Sequence, residues 1–309
     1  MKLRVGTRRS PLALTQTKQA LDLLVSRSTG LSYELVEVVT TGDRIQDRPL
    51  REAGGKGLFL KELDEALLGG HVDCAVHSLK DVPSELAAGT TLAVVLERVD
   101  PRDILVTRDG RDLAALVADV EVGTTSLRRA TQLLARLPKA RIRLLRGNVE
   151  TRLRKLVDGD CDATFLAAAG LSRLGLSLDP AHGVALDPFD FVPAPGQGAL
   201  GITARADDQA TLAALSVLEH SASRAAVLAE RAFARVFGGG CHLPLAAYAR
   251  LVGDEVELVG LLSTPDGATT IRDSVRGPAS GAEAMGEALG RAFLGRGGAE
   301  ILAAVEAGL

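Results

Sequence analysis

Short apolar runs alternate with amphipathic helical stretches along the first two thirds of the chain. Helices are predicted where apolar residues recur at helical spacing, as at Leu14, Leu21 and Leu24, and strands where short apolar runs end in turn residues. The predicted strands are 2–6, 33–40, 72–76, 91–96, 104–107, 121–123, 141–145, 163–167 and 200–204; the predicted helices are 11–26, 58–68, 127–136, 149–158 and 168–174. This alternation indicates mainly parallel sheets covered by helices.

The last third of the chain has a different pattern. A helix predicted over 219–236 precedes three glycines and then strands at 246–251, 255–262 and 269–275, joined by glycine-containing turns. The predicted fold class is therefore α/β, with two α/β lobes followed by a small α+β third domain. We expect a discontinuous first domain of residues 1–98 and 196–216, a second of 102–192 and a third of 219–309.

Composition narrows the class of protein. No apolar run approaches the 18 residues or so that a transmembrane helix needs, and residues 1–6 enter a strand without a signal peptide's apolar region. Cys74, Cys161 and Cys241 are too far apart for a metal site and are odd in number. We therefore expect a reduced, cytoplasmic protein with no membrane contact and no metal.

Charge is unevenly distributed along the sequence. Residues 128–155 contain ten basic side chains and one acid, Glu150, so that this segment carries +9 in a chain of net charge −3. A local excess of this size predicts an anionic partner that is held at one place. A long polar loop over 42–57 has the length of a lid or binding loop.

Arginines stand at three junctions where a predicted strand gives way to a helix, in the segments 6–10, 123–129 and 146–152. Ser10, Asn148 and either Thr125 or Ser126 are the expected helix N-caps. An arginine at a helix N-terminus adds positive charge to the positive end of the dipole, and a bound anion reverses that disadvantage. One such junction has the simple alternative of a surface arginine paired elsewhere, but three predict an anion-binding cleft.

The kind of anion is restricted by what the sequence lacks. No phosphate-binding loop and no dinucleotide fingerprint occurs, although phosphate itself stays possible. Seven Phe, two Tyr and no Trp are a poor supply of stacking residues for single-stranded nucleic acid. Several carboxylates on one small molecule would suit many bidentate arginines.

Residues 77–83, His-Ser-Leu-Lys-Asp-Val-Pro, follow a predicted buried strand and end at a proline. Ligands of open α/β sheets bind beyond the carboxyl ends of strands, so Lys80 and Asp81 are candidate site residues. The simpler alternative is a polar loop with a surface Lys80–Asp81 pair. In a basic cleft, Asp81 would be an isolated ionised acid suited to stabilising a developing cation.

Cys241 follows three glycines between a predicted helix and strand, which favours an accessible thiol. Covalent attachment of a group and the ordinary role of a small buried apolar residue both stay open from sequence alone. Cys74 and Cys161 are expected to be buried.

Eight collinear segments resemble the porphobilinogen deaminase (hydroxymethylbilane synthase) family. They are 7–13, 54–59, 77–83, 123–129, 145–152, 168–175, 196–199 and 230–241. The resemblance implies two lobes similar to two-lobed binding proteins, and a third domain whose cysteine, here Cys241, holds a dipyrromethane cofactor through a thioether. It also implies a transferase that joins four porphobilinogen units head to tail, releases ammonia at each addition and then frees hydroxymethylbilane.

The same resemblance implies roles for individual residues. Asp81 matches the catalytic carboxylate that holds the pyrrole N–H and stabilises the cation left when ammonia departs. The implied cofactor-binding residues are Cys241, Lys80, Ser126, Arg128, Arg129 and Arg146. The implied substrate-binding residues are Arg8, Ser10, Lys56, Phe59, Arg152, Arg173 and Gln197. The family implies a monomer with porphobilinogen as small-molecule partner and no nucleic acid. Arg9 and His242 receive no role, and Pro195 departs from the family's commoner small apolar residue.

The residues alone are compatible with two other functions. A non-enzymatic, two-lobed polycarboxylate-binding module would need the arginine cleft but neither Cys241 nor Asp81. An RNA-binding protein that uses residues 128–155 would bind with steep salt dependence.

Overall fold

The structure is a computed structural model that describes residues 1–41, 60–176, 182–239 and 243–308. The predicted loop 42–57, the candidate residues Lys56, Phe59 and Cys241, and His242 lie outside these residues.

The strands in chain order are β1 Lys2–Arg8, β2 Ser32–Val38, β3 Cys74–Ser78, β4 Thr90–Val95, β5 Asp103–Thr107, β6 Glu121–Gly123, β7 Arg141–Arg143, β8 Ala163–Ala167, β9 Gly183–Ala185, β10 Leu200–Arg205, β11 Leu245–Val252, β12 Glu255–Ser263 and β13 Thr270–Pro278. The helices are α1 Pro11–Arg27, α2 Lys61–Leu68, α3 Leu127–Leu134, α4 Val149–Val157, α5 Ala168–Arg173, α6 Gln209–Leu215, α7 Ser221–Arg235, α8 Ala282–Phe293 and α9 Ala299–Gly308. Among the described helices, none has the length and apolar character to cross a bilayer.

The first lobe is built on a five-stranded sheet of order β2-β1-β3-β10-β4. Strand β1 runs parallel to β2 and β3, whereas β10 runs antiparallel to β3 and β4. Its core joins the sheet to α1 through residues such as Val5, Leu21 and Ile202, all completely buried. Strand β1 continues two residues beyond the predicted end at Gly6, because Thr7 and Arg8 still pair with β2.

The second lobe has a sheet of order β7-β6-β8-β5-β9, in which β6 is parallel to β7 and β8 while β5 is antiparallel to β8 and β9. The predicted α/β class is confirmed, with sheets that combine parallel and antiparallel pairs. The antiparallel pairs involve β5 and β10, the strands that follow the two passages of the chain between the lobes. These passages, residues 96–102 and 192–199, contain no helix that could serve as a parallel crossover.

The third sheet, β11-β12-β13, is antiparallel throughout and packs against α7 and α8, as an α+β unit requires. Phe233 on α7 lies at its centre, with Phe237 and Phe293 in edge contact at 5.2 and 5.1 Å between ring centroids. A Cβ at Gly260 would stand 2.6 Å from the Phe233 ring, so glycine is required there for the helix to approach the sheet. The exact three-domain division stays a proposal.

One carboxylate joins all three units. Glu230 on α7 is completely buried and forms an ion pair with Arg98, which lies just after β4. It also accepts hydrogen bonds from the backbone N–H groups of Gly196, before β10, and Ala249, on β11, both at 2.7 Å. These contacts fix helix α7 against both passages between the lobes.

We expect Glu230→Gln to destabilise the protein by about 3 kcal/mol, because it leaves the buried Arg98 cation without its counter-charge. The free energy of unfolding in urea measures the effect. Glu283→Gln is the matched control: it breaks the ion pair of Glu283 with Arg235, which is partly open to solvent, and should cost less than about 1 kcal/mol. Equal losses in the two variants would contradict a special contribution from the buried pair.

Candidate active site

A cleft lies between the two lobes at the ends of their strands. The first lobe contributes charged and polar side chains, and the second contributes the small residues of α5 together with one arginine. Its lining includes Arg8, Ser10, Leu12, Gln16, Lys80, Asp81, Ala167, Gly170, Arg173 and Gly198. Four predicted substrate or catalytic residues, Arg8, Ser10, Asp81 and Arg173, and the predicted cofactor contact Lys80 therefore meet in one place.

Lys80 and Asp81 reach the cleft because β3 ends directly before them. Residues 79–81 form a single 3₁₀ turn, and the Val82 N–H closes it on the Leu79 carbonyl at 3.2 Å. Leu79 is buried and anchors the turn, while Val82 is extended before Pro83, as the proline predicts. The pair therefore lines a cleft, and the alternative of a simple surface loop is wrong.

The Lys80 ammonium is in an environment that weakens its hold on a proton. Burial, together with nearby Arg129 and Arg128, lowers the pKa of Lys80 to about 8, although Asp81 and Asp103 act in the opposite direction. A bound carboxylate would restore the balance by stabilising the charged form.

One buried acid neutralises both Arg128 and Arg129, which lie at the start of α3. The Asp103 carboxylate is completely buried and lies 2.7 Å from a terminal guanidinium nitrogen of each arginine. Arg128 also donates to the Val192 carbonyl, and Arg129 to the Phe165 carbonyl. Burial alone would raise the pKa of Asp103, but the two guanidiniums hold it well below its usual range. Both arginines are thus fixed at the base of the cleft, and their predicted cofactor contacts stay a proposal.

The helix N-termini are capped as predicted. The Ser126 hydroxyl accepts from the Arg129 N–H at 3.4 Å, Asn148 accepts from the Thr151 N–H at 2.8 Å, and Ser10 accepts from the Ala13 N–H at 3.2 Å. These caps leave the first turn of each helix directed at the strand ends.

The remaining predicted arginines form a group around these termini. Burial, reinforced by Arg129 and Arg146, lowers the pKa of Arg152 to about 10. Arg152 donates to the Gly147 carbonyl at 2.8 Å, and Arg146 is partly exposed beside it. Arg173 is 8% exposed, donates to the Gly198 carbonyl at 2.8 Å, and has its pKa lowered to about 10 by burial. Cations concentrated in this way favour a ligand with several negative charges.

Gln197 lies behind the cleft. It is 1% exposed, and its amide donates to the Pro101 carbonyl at 2.7 Å and to the Asp103 carboxylate at 3.0 Å. The structure therefore places it where it orients Asp103, and its predicted substrate contact stays a proposal.

Cys74 and Cys161 are buried, as expected, and burial raises the pKa of the Cys74 thiol to about 12. His77 is buried and hydrogen-bonds through Nε2 to the Thr203 hydroxyl at 2.8 Å, so it faces the sheet rather than a ligand. Within the described ranges, no group of three His, Cys, Asp or Glu side chains is placed to hold a metal ion.

Sequence reasoning missed two polar residues of this region. Asp103 received no role, because it lies 25 positions before Arg128 in the sequence and no local pattern pairs the two. Gln16 is 6% exposed in α1 and lines the cleft, and no side-chain hydrogen bond joins it to another described residue. Its amide is therefore available to a ligand.

Fold and site together define a two-lobed α/β protein with a basic cleft in which Asp81, next to Lys80, is the one carboxylate among the described lining residues. Residues 3–213 match the family model described as "Porphobilinogen deaminase, dipyromethane cofactor binding domain", and residues 224–295 match the C-terminal domain of the same family. The chain belongs to the porphobilinogen deaminase family.

Relatives named porphobilinogen deaminase align over nearly the full length. One from Bordetella parapertussis is 50% identical over 305 residues, covering 98% of this chain and 96% of the relative. One from Halalkalibacterium halodurans is 45% identical over 309 residues, covering 100% and 98%. Among solved structures, a methionine-binding protein, MetQ, aligns at 17% identity and a TM-score of 0.43 over 69% of this chain and 88% of that one. That likeness is too low to carry an argument.

We expect Asp103→Asn to cost about 3–5 kcal/mol of unfolding free energy at pH 7, because two buried guanidiniums lose their shared counter-charge. The lowered pKa of Asp103 sets the pH dependence: its contribution is complete above the ordinary carboxyl pKa of about 4 and is lost as pH falls below that value.

Urea unfolding from pH 7 to pH 3 measures both effects, and the difference between Asp103→Asn and the original protein should shrink below about pH 4. Asp100→Asn is the control, since Asp100 pairs with the half-exposed Arg102 and should cost under about 1 kcal/mol. A difference independent of pH would show that charge is not the cause.

Proposed function

We propose that this protein is a hydroxymethylbilane synthase, which joins four porphobilinogen units head to tail on a dipyrromethane primer and releases the linear tetrapyrrole hydroxymethylbilane. The observation that carries the proposal is the Asp81 carboxylate, the one acid among the described residues that line a cleft rich in cations, in a chain of the porphobilinogen deaminase family. Each addition breaks the aminomethyl C–N bond with loss of ammonia, forms one C–C bond between pyrroles and releases the proton of the attacked ring carbon.

The side chains of the cleft fit a dipyrromethane. Its rings carry acetate and propionate groups, and Lys80, Arg152 and Arg173 are cations whose pKa values are lowered by burial, so that carboxylates would stabilise their charged forms. We assign Lys80, Ser126, Arg128, Arg129 and Arg146 to the cofactor and Arg8, Ser10, Arg152, Arg173 and Gln197 to the substrate. When bound, the dipyrromethane supplies the pyrrole carbon that receives the first unit.

We assign the thioether to Cys241 partly by elimination. Cys74 lies in β3 and Cys161 lies before β8, both are buried, and burial raises the pKa of each thiol. A buried thiol with a raised pKa is a poor nucleophile. Lys56 and Phe59, which match the family's loop over the cleft, are assigned to the substrate on sequence alone.

Asp81 has the position and charge to act on the reacting ring. Its carboxylate accepts the pyrrole N–H of the bound porphobilinogen and stabilises the cation that forms as ammonia leaves. The surrounding guanidiniums hold the ring's carboxylates, so the positive charge develops next to Asp81 and not next to an arginine. The same carboxylate then assists removal of the ring proton after coupling.

Asp81→Asn should fold normally and keep its cofactor but lose turnover by about 10²–10⁴-fold, because the amide carries no negative charge. Hydroxymethylbilane formation measured by its conversion to uroporphyrin absorbance gives the rate, and intact mass gives the cofactor content. Asp100→Asn, outside the cleft, is the charge-matched control. A variant at Asp81 that kept its turnover would refute the assigned role.

Cys241→Ala should yield a folded chain whose denatured mass equals the chain alone, with no colour in an aldehyde test for pyrroles. The unsubstituted protein should exceed its 32.2 kDa chain by one dipyrromethane. Cys161→Ala should retain that added mass. Covalent pyrrole retained by Cys241→Ala would move the attachment to another residue.

The two other functions make different predictions. A binding module would carry no covalent pyrrole and release no ammonia. RNA binding is disfavoured by the partners of the basic segment, since Arg128 and Arg129 are buried with Asp103, and Arg141 and Arg143 pair with Glu121. We propose a cytoplasmic monomer without a nucleic-acid partner.

A further inference from the structure

Arg231 on α7 is a buried arginine that pairs with backbone instead of a carboxylate. It is 6% exposed, and its two terminal nitrogens donate to the carbonyls of Val82, Pro83 and Ser84 at 3.1, 2.7 and 3.3 Å. Among the residues that the structure describes, no carboxylate lies within ion-pair distance of it. Burial lowers its pKa to about 10. A buried cation without an ion pair is costly, and the hydrogen bonds of the Arg231 guanidinium all go to one short segment.

That segment begins immediately after Asp81. Its three carbonyls have consecutive positions in an irregular stretch with bends at Val82 and Ser84 and no strand partner, so one guanidinium satisfies a backbone that no sheet supports. Val227, one turn earlier on α7, packs against Leu79 and Val82 in the same small core. Helix α7 therefore contacts the turn on both sides of Lys80 and Asp81. Val227 lies in the apolar core with Leu79 before them, and Arg231 donates to the backbone carbonyls after them.

The chain that follows α7 also passes close to this segment. Gly239 has a φ of +61°, and a Cβ there would stand 2.8 Å from the Ser84 side chain. Gly239 is two residues before Cys241 in the sequence. The helix that holds the catalytic turn thus also leads directly into the segment assigned to the cofactor.

We infer that Arg231 is a positioning residue for the reaction: it fixes the backbone of residues 82–84 and thereby the direction of the Asp81 carboxylate in the cleft. Arg231 itself lies outside the cleft lining and contacts no reacting group. The inference rests on the proposed function for its kinetic consequence, and on the structure alone for its effect on the turn.

Arg231→Met is the main test, and Arg235→Met is the matched control, because Arg235 lies one turn further along α7 and pairs with Glu283 near solvent. Arg231→Met should lower kcat by about 100-fold and leave KM within about threefold, since misplacement of a catalytic group by about 1 Å has that effect. Cofactor mass should be unchanged. Arg231→Lys, which can still donate to some of the carbonyls, should recover about tenfold of the loss.

Hydrogen exchange provides a readout that needs no activity. Amides of residues 79–85 should exchange faster in Arg231→Met than in Arg235→Met, while exchange in the third sheet stays the same. If Arg231→Met fails to fold, Arg231→Lys is compared with Arg235→Lys by the same two measurements.

Unchanged exchange in the turn, unchanged kcat, or a loss of activity that follows the loss of cofactor would each overturn the inference. A lack of ammonia release by the unsubstituted protein would instead contradict the proposed function, and the exchange comparison would then decide the positioning role alone.

Discussion

Two adjacent guanidiniums at one helix N-terminus repel each other and the helix dipole, and the cleft depends on how this repulsion is relieved. The relief comes from Asp103, which is completely buried and shared by Arg128 and Arg129. Asp103 is the first residue of β5, at the end of the first passage between the lobes, and Gln197 on the second passage donates to the same carboxylate. Asp103 therefore has two effects: it neutralises the charges at the base of the cleft, and it connects the two passages between the lobes.

This arrangement divides the cations into two groups. Asp103 holds Arg128 and Arg129 in fixed positions. Their charge is balanced before any ligand binds, so they can orient a ligand without needing its charge. In Lys80, Arg152 and Arg173, by contrast, burial lowers the pKa and so disfavours the charged form. An anionic ligand binds most favourably to the second group, because its negative charge stabilises cations whose charged form is disfavoured by burial.

The sequence predicted what depends on neighbours in the chain. Ser10, Ser126 and Asn148 cap helices because a short polar side chain at that position accepts a hydrogen bond from a free backbone N–H of the first turn. Lys80 and Asp81 lie in the cleft because a buried strand ends before them. The sequence did not predict contacts made across long separations, such as that of Arg98 with Glu230, 132 positions away. It also missed β9 and α6.

Helix α7 links the parts that the sequence could only treat separately. Successive residues of a helix point about 100° apart, so Glu230 and Arg231 address different neighbours from one position. Glu230 binds Arg98 and the Gly196 N–H, and Arg98 donates to the Gln197 carbonyl, so the two passages between the lobes are tied to each other. Arg231 binds the segment after Asp81. The third unit therefore connects the two passages between the lobes and, through the positioning role inferred for Arg231, sets the direction of the Asp81 carboxylate, although it contributes no described residue to the cleft lining.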